Sequence, residues 1–282
     1  MARRLSWCVI PALLLAGCSY PDYGAVRDFA GTAADAALWP PVAERRAGQP
    51  ARLARLRPGA ALAPELSPAI AARRDAVLAM QAALDTWFTA LATLAADGLV
   101  RRPENPLAAE AAKAAALDEP AGRAVGAIGE LLVTATKGNW RAPQTAGAIR
   151  AADPAVQVLL RALSETVAGM AAEDAPEREA IVALYGPLEA ETPDPAARQT
   201  IRDWRAQREA ELAARAADRD AYCRVLARIA EGQAVLLERA SRLSQAETAR
   251  QVRAAEEALR RAAALLPRAP VVSGTYEIRY LI

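Results

Sequence analysis

The chain has 282 residues, with 35 Lys and Arg against 33 Asp and Glu, no histidine and three cysteines. Charge this close to balance argues against nucleic acid and against a polybasic membrane clamp, which both need concentrated positive surface. The missing histidine removes Ser-His-Asp and Cys-His nucleophile systems as usually built, together with the commonest metal ligand.

Arg3 and Arg4 open the chain, and a mostly apolar stretch of about eleven residues follows before Ala16, Gly17 and Cys18. That stretch is far below the ~20 residues a spanning helix needs. A positive start, a short apolar middle and small residues before a cut site describe an export signal. Leu15-Ala16-Gly17-Cys18 resembles the lipobox of bacterial lipoproteins. The resemblance covers residues 1–18 and implies cleavage between Gly17 and Cys18. It also implies diacylglycerol on the Cys18 sulfur and a fatty acyl group such as palmitate on the new amine. Stable attachment needs more than one acyl chain, and multiple acylation meets that need. Ser19 stands where the family carries Asp for inner-membrane retention, which implies sorting to the outer membrane, facing the periplasm.

Loss of residues 1–17 removes Arg3, Arg4 and Cys8, bringing basic and acidic side chains to parity. With Cys18 acylated, Cys223 stands alone. It is read either as an intermolecular or redox thiol or as a small hydrophobe on a helix face.

Alanine makes up about a quarter of the sequence, and alanine is the best helix former. A first helix is expected over 22–38, and 40–64, rich in Pro and Gly, reads as an irregular linker. The next helix should run over 67–97. Ile70, Val77, Leu84 and Leu91 recur every seven residues, with Met80, Trp87 and Leu94 in the second seam and Arg73 as the exception. That pattern calls for lengthwise packing against near-parallel neighbours. Its apolar run at 86–96 is too short to span a bilayer. Gly98 should stop this helix, and another, carrying Val125, Ile128, Leu131, Leu132 and Ala135, should end near Gly138.

Ser67-Pro68, Asp153-Pro154 and Asp194-Pro195 read as N-caps followed by proline at the first helical position. Ser244-Gln-Ala-Glu247 and, more weakly, Asp174-Ala-Pro-Glu177 read as capping boxes. The helix from Asp153 carries Val156, Leu159, Leu160, Leu163, Val167 and Met170, and a shorter one carries Ile181, Leu184, Tyr185 and Leu188. The longest helix, 194–242, changes character along its length. Tyr222, Val225, Leu226, Ile229, Leu236 and Leu243 form a core stripe. Residues 205–219, bounded by Arg205 and Arg219, are almost wholly Arg, Glu, Asp and Ala, with a Glu211–Arg215 pair at i,i+4. That charged half is read as a partner-facing surface or as a solvated outer face. In the last helix, 244–267, Glu256–Arg260 and Glu257–Arg261 should pair as surface residues. The tail alternates like a strand over 273–282 and is read either as an edge donated to a partner's sheet or as a segment packed on the bundle or disordered.

The expected fold is all-α: an elongated antiparallel helical bundle with coiled-coil-like packing, an irregular 40–64 segment and a short strand-like C-terminal tail. The expected division is a signal peptide (1–17), a lipid-anchored N-terminal helix and linker (18–66), the bundle (67–267) and the tail (268–282). The residues point to a lipid-anchored cell-envelope scaffold or protein-interaction module. Its partners would be the membrane, through the lipidated N-terminus, and an envelope protein, through 205–219 or 273–282, with no nucleic acid. No cofactor, metal or catalytic residue is assigned. Two alternatives stay open. One is a carboxylate-dependent cell-wall hydrolase, for which Ser164-Glu165 and Glu130 lie beside apolar stripes; a Ser–Lys dyad using Lys113 or Lys137 is the remaining chemistry the residues leave open. The other is a small-molecule binder with a pocket between helices near Trp87, Tyr185 or Trp204.

Overall fold

A computed structural model describes residues 22–56 and 68–267. Every regular element among them is helical, as the alanine content and heptad spacing require. The α-helices are α1 (Gly24–Ala37), α2 (Pro41–Ala47), α3 (Gln49–Arg55), α4 (Pro68–Ala95), α5 (Ala108–Ala115), α6 (Glu119–Lys137), α7 (Thr145–Gly169), α8 (Asp174–Glu191), α9 (Pro195–Glu238) and α10 (Ala246–Ala263). Cys18, Gly17, Ser67 and the tail at 273–282 lie outside the described residues.

α4 is the axis of the bundle. Val77, Met80, Leu84, Trp87, Leu91 and Leu94 of the two expected seams are buried to within 1%, while Ile70 near the start of the helix is only partly buried. α4 is the one described helix long and apolar enough to cross a membrane by length and composition, and most of its apolar window is buried inside the bundle. The 86–96 limit set on its apolar stretch is therefore too tight, because small and apolar residues from Ala76 onward extend it. Burying such a helix among others serves the same hydrophobic requirement that a membrane would.

α1 runs antiparallel along α4, with the Phe29 ring edge-on to Phe88 at 6.2 Å. Its helical face is mostly alanine, and Ala30, Ala33 and Ala37 are fully buried, so its backbone comes close to α4, α9 and α10. At Gly232 of α9 the approach is so tight that a Cβ would lie 2.1 Å from a Phe29 ring carbon. The first helix is thus part of the bundle core and is not set apart from it by a linker. The irregular reading of 40–64 is corrected over 40–56, while 57–64 lie outside the described residues: α2 and α3 occupy 41–47 and 49–55, each with proline in its first turn. Proline there costs no hydrogen bond and presets the helical φ, so Pro41 and Pro50 start helices instead of breaking them.

A buried polar knot ties α1, α4 and α9 together. The Tyr222 hydroxyl donates to the Ala37 carbonyl at 2.6 Å and accepts from Gln81 Nε2 at 3.0 Å, and Gln81 Nε2 also reaches the Trp39 carbonyl at 3.0 Å. Complete burial pushes the Tyr222 phenol well above its usual range.

Helix ends follow the expected positions with different residues in the special conformation. α4 and α6 stop before Gly98 and at Gly138, but the left-handed residues are Asp97 (φ 57°) and Asn139 (φ 48°). The N–H of Gly98 bonds the Thr93 carbonyl at 2.8 Å and that of Trp140 the Ala135 carbonyl at 2.9 Å, which closes a Schellman turn in each case. Asp194 caps α9 as expected, accepting from the N–H groups of Ala196 and Ala197. Asp118, which sequence reasoning passed over, caps α6 through Ala121 N–H.

Three cap readings are corrected. α7 starts at Thr145 and carries Pro154 inside it. That proline is exposed, so the carbonyl it leaves unpaired one turn back can turn to water. Asp153 instead accepts from Gln233 of α9 at 3.2 Å. α10 starts at Ala246 with no side-chain cap, and Glu247 pairs with Arg250 rather than with Ser244. Asp174 and Glu177 are ion-pair acceptors, not a capping box. In α10 the Glu256–Arg260 and Glu257–Arg261 pairs are present, but Glu256 is 7% exposed and accepts from Thr32 of α1 at 2.9 Å. It is a helix-to-helix tie, not a surface residue.

Candidate functional site

α8 and the first half of α9 fold back on each other as a two-helix arm. Asp194 and Pro195 start the return helix, and Arg198 closes the turn by donating to the Thr192 carbonyl at 2.9 and 3.1 Å. Further along, Arg202 pairs with Glu189 at 2.6 Å and holds its carboxyl below the usual carboxylate range. That pair sets the register of the arm, which brings Leu188 level with Asp203 and Trp204.

The arm has little core of its own. Ile181 and Leu212 meet Leu56, which follows α3, in a small cluster separate from the main one, flanked by Leu184 and Tyr185. Beyond it Val182 is 47% exposed, Leu188 45% and Trp204 54%. Leu237 and Leu265, the latter 61% exposed, show that single exposed apolar groups also occur off the arm; Trp204 is set apart by residue type, since tryptophan is enriched where one protein meets another.

At its base the arm is joined to the bundle by charge. Glu177, with a side chain 6% exposed, accepts from Arg52 of α3 at 3.2 Å through both oxygens and from Arg215 of α9. Arg219 pairs with Asp174 at 2.8 Å, Arg46 with Glu173 and Arg45 with Asp218. Arg52 also donates to the Arg45 carbonyl at 2.8 Å, and Arg45 lies over the Trp39 ring at 5.3 Å. The five arginines, Glu173 and Asp174 line a recess of about 40 Å³, room for one or two waters. Burial pushes the Arg52 guanidinium down, with Glu177 opposing it. Five arginines face four carboxylates, each in an ion pair, and the network spans α2, α3, α8 and α9. Such a network orients elements more than it stabilises them, and it fails badly when one member is removed.

The face at 205–219 is therefore not wholly available to a partner. The expected Glu211–Arg215 pair does not form: Arg215 turns inward to Glu177, and Glu211 accepts from Arg208 at 2.9 Å. Arg215 and Arg219 are 17% and 12% exposed, whereas the side chains of Arg205 and Arg208 stay nearer solvent. The arginines of α2 and α3 were not singled out from sequence. No local pattern marks them, because Arg45 and Arg52 stand on separate helices on either side of Gly48.

The remaining sequence candidates are scattered. Trp87 is core at 1% exposure, Tyr185 flanks the arm's small cluster and Trp204 is on the arm's outside. Cys223 is half-buried next to Ser164, and burial pushes its thiol up. Glu165 is exposed, Glu130 accepts from Asn105 at 2.9 Å, Lys113 pairs with Glu110 at 2.9 Å, and Lys137 is exposed at the end of α6. These residues form no common site. Among the described residues no group of His, Cys, Asp or Glu is placed to hold a metal ion. No protein-family model matches the chain, and no curated protein or solved structure is similar to it.

Proposed function

We propose that this protein is a lipid-anchored cell-envelope interaction module that presents the α8–α9 arm to a protein partner. Anchoring rests on Leu15-Ala16-Gly17-Cys18, and Ser19 favours the periplasmic face of the outer membrane. Five residues separate Cys18 from α1 at Gly24, so the bundle stays within ~20 Å of the acyl chains even with that segment fully extended. The observation that carries the interaction reading is Trp204, an aromatic 54% exposed on the outside of an arm whose base is held by ion pairs.

The test is a photo-crosslinking residue placed in turn at 188, 204, 150 and 253 and expressed in the native envelope. Positions 188 and 204 should give one discrete adduct, while Arg150 of α7 and Arg253 of α10, both exposed, should give none. Trp204→Ala should weaken the adduct from position 188 at least about fivefold, as expected of an aromatic anchor. Equal labelling at all four positions, or none, would sink the reading.

A further inference from the structure

On another side of the bundle lies a groove of about 670 Å³, within the ~300–1,000 Å³ range of small-ligand sites. Its walls are the end of α1, one face of α4, residues 99–102 and Leu132 of α6. Because α1 and α4 run antiparallel, with Phe29 against Phe88 and the Trp39 carbonyl against Gln81, Asp35 comes opposite Asp85. The Asp97–Gly98 turn then brings Leu99, Val100, Arg101 and Arg102 back into the groove, and the Arg102 N–H is fixed to Thr136 Oγ1 at 2.8 Å.

The groove is therefore acidic towards one end and basic towards the other. Asp35 and Asp85 stand together where α1 ends, and Arg101 and Arg102 follow the C-terminal turn of α4. None of the four makes an ion pair among the described residues, although every charge at the base of the arm does. Burial pushes the Asp85 carboxyl up, and the neighbouring Asp35 pushes it further. A cation between them would relieve both effects. Between the charged ends, α4 lays Thr86, Thr89 and Thr93 along the wall. Thr86 and Thr93 donate to the carbonyls of Ala82 and Thr89 at 2.7 and 2.9 Å, which leaves their lone pairs free to accept. Leu38, Val100 and Leu132 supply apolar floor.

From Asp85 to Thr93 the helix rises ~12 Å, the length of about four residues of extended chain. We propose that this groove binds a short extended peptide with free ends, its ammonium between Asp35 and Asp85 and its carboxylate at Arg101 and Arg102. The Thr wall takes backbone N–H groups, and a wall of small residues and threonines favours small side chains. The site depends on neither the lipid anchor nor the arm, so it stands or falls apart from the proposed function.

Calorimetric titration of the full-length chain in detergent with tetra-alanine tests it. Tetra-alanine with free termini should bind, and acetylating its amine or amidating its carboxylate should each weaken binding at least tenfold. Asp85→Asn should weaken the free peptide at least tenfold while changing the acetylated one less than twofold, and Arg102→Gln should do the same for the carboxylate end. Neither substitution should lower the melting temperature, because Asp85 is disfavoured as a charge and Arg102 is exposed. Equal binding of free and blocked peptides, equal binding of single alanine, or no heat at millimolar peptide would overturn the proposal.

Discussion

Replacing Glu177 by alanine should cost about 3–5 kcal/mol, the loss typical when one partner of a buried ion pair is removed. Among the described residues, Glu177 is the only carboxylate shared by two arginines in the base of the arm, and with its side chain 6% exposed it is the most buried member. Without it Arg52 and Arg215 would face each other with no counter-charge. The guanidinium cannot escape by losing its proton, so the elements must part. The loss should therefore be local first. Limited proteolysis should cut within α3 and α8 under conditions where the parent chain is intact, and the denaturant midpoint should fall. Salt should rescue little, because screening acts weakly on buried pairs. A loss below about 1 kcal/mol would mean that the network behaves as solvated surface pairs do, and that the arm is held by Leu56, Ile181 and Leu212 instead.

Gly232→Ala should also be strongly destabilising, for the opposite reason. A Cβ at 232 would lie 2.1 and 2.3 Å from two carbons of the Phe29 ring. The ring is fully buried and pinned edge-on to Phe88, so α1 and α9 would have to separate. Overpacking of this kind costs ~1–3 kcal/mol, against a helix-propensity gain of at most ~1 kcal/mol for alanine over glycine. Phe29→Leu removes the clashing ring carbons. The double variant should be more stable than Gly232→Ala alone, a non-additivity expected only of residues in contact. Thermal unfolding of the two single variants and the double checks this. A Gly232→Ala protein as stable as the parent would mean that α1 does not pack on α9 as described.

Local pattern was enough to locate most of the helices and both seams of α4, because a seven-residue repeat of large apolar groups has one low-energy solution, burial along its length. The same holds for the stripe from Tyr222 to Leu243, all of it buried. What local pattern could not supply was pairing over distance. Arg215 has Glu211 four residues away and takes Glu177, 38 residues away, because only there can it lose water and keep a partner. Asp174 and Glu177 do stand in the first turn of α8, as their spacing suggests, but their carboxylates anchor α3 and α9 instead of capping the helix. Pro154 looks like a helix start and is tolerated inside α7 because its side of the helix is wet. Asp35 and Asp85 carry no sequence signal at all. They sit on the polar faces of two helices, and only the antiparallel register of α1 and α4 makes them neighbours. The arm and the groove both arise from tertiary placement, which periodicity does not encode.

The proposed function depends on fatty chains at the Cys18 sulfur holding the helical bundle to the envelope, so its deciding measurement is the intact mass and fractionation of the mature protein with Cys18 and with Cys18→Ser. The parent should begin at Cys18, carry the mass of a diacylglycerol and an amide-linked acyl group, and leave the envelope pellet only in detergent, while Cys18→Ser should keep its signal or appear unlipidated. A parent mass without acyl groups, with Cys18→Ser still sedimenting in the envelope fraction, would contradict it.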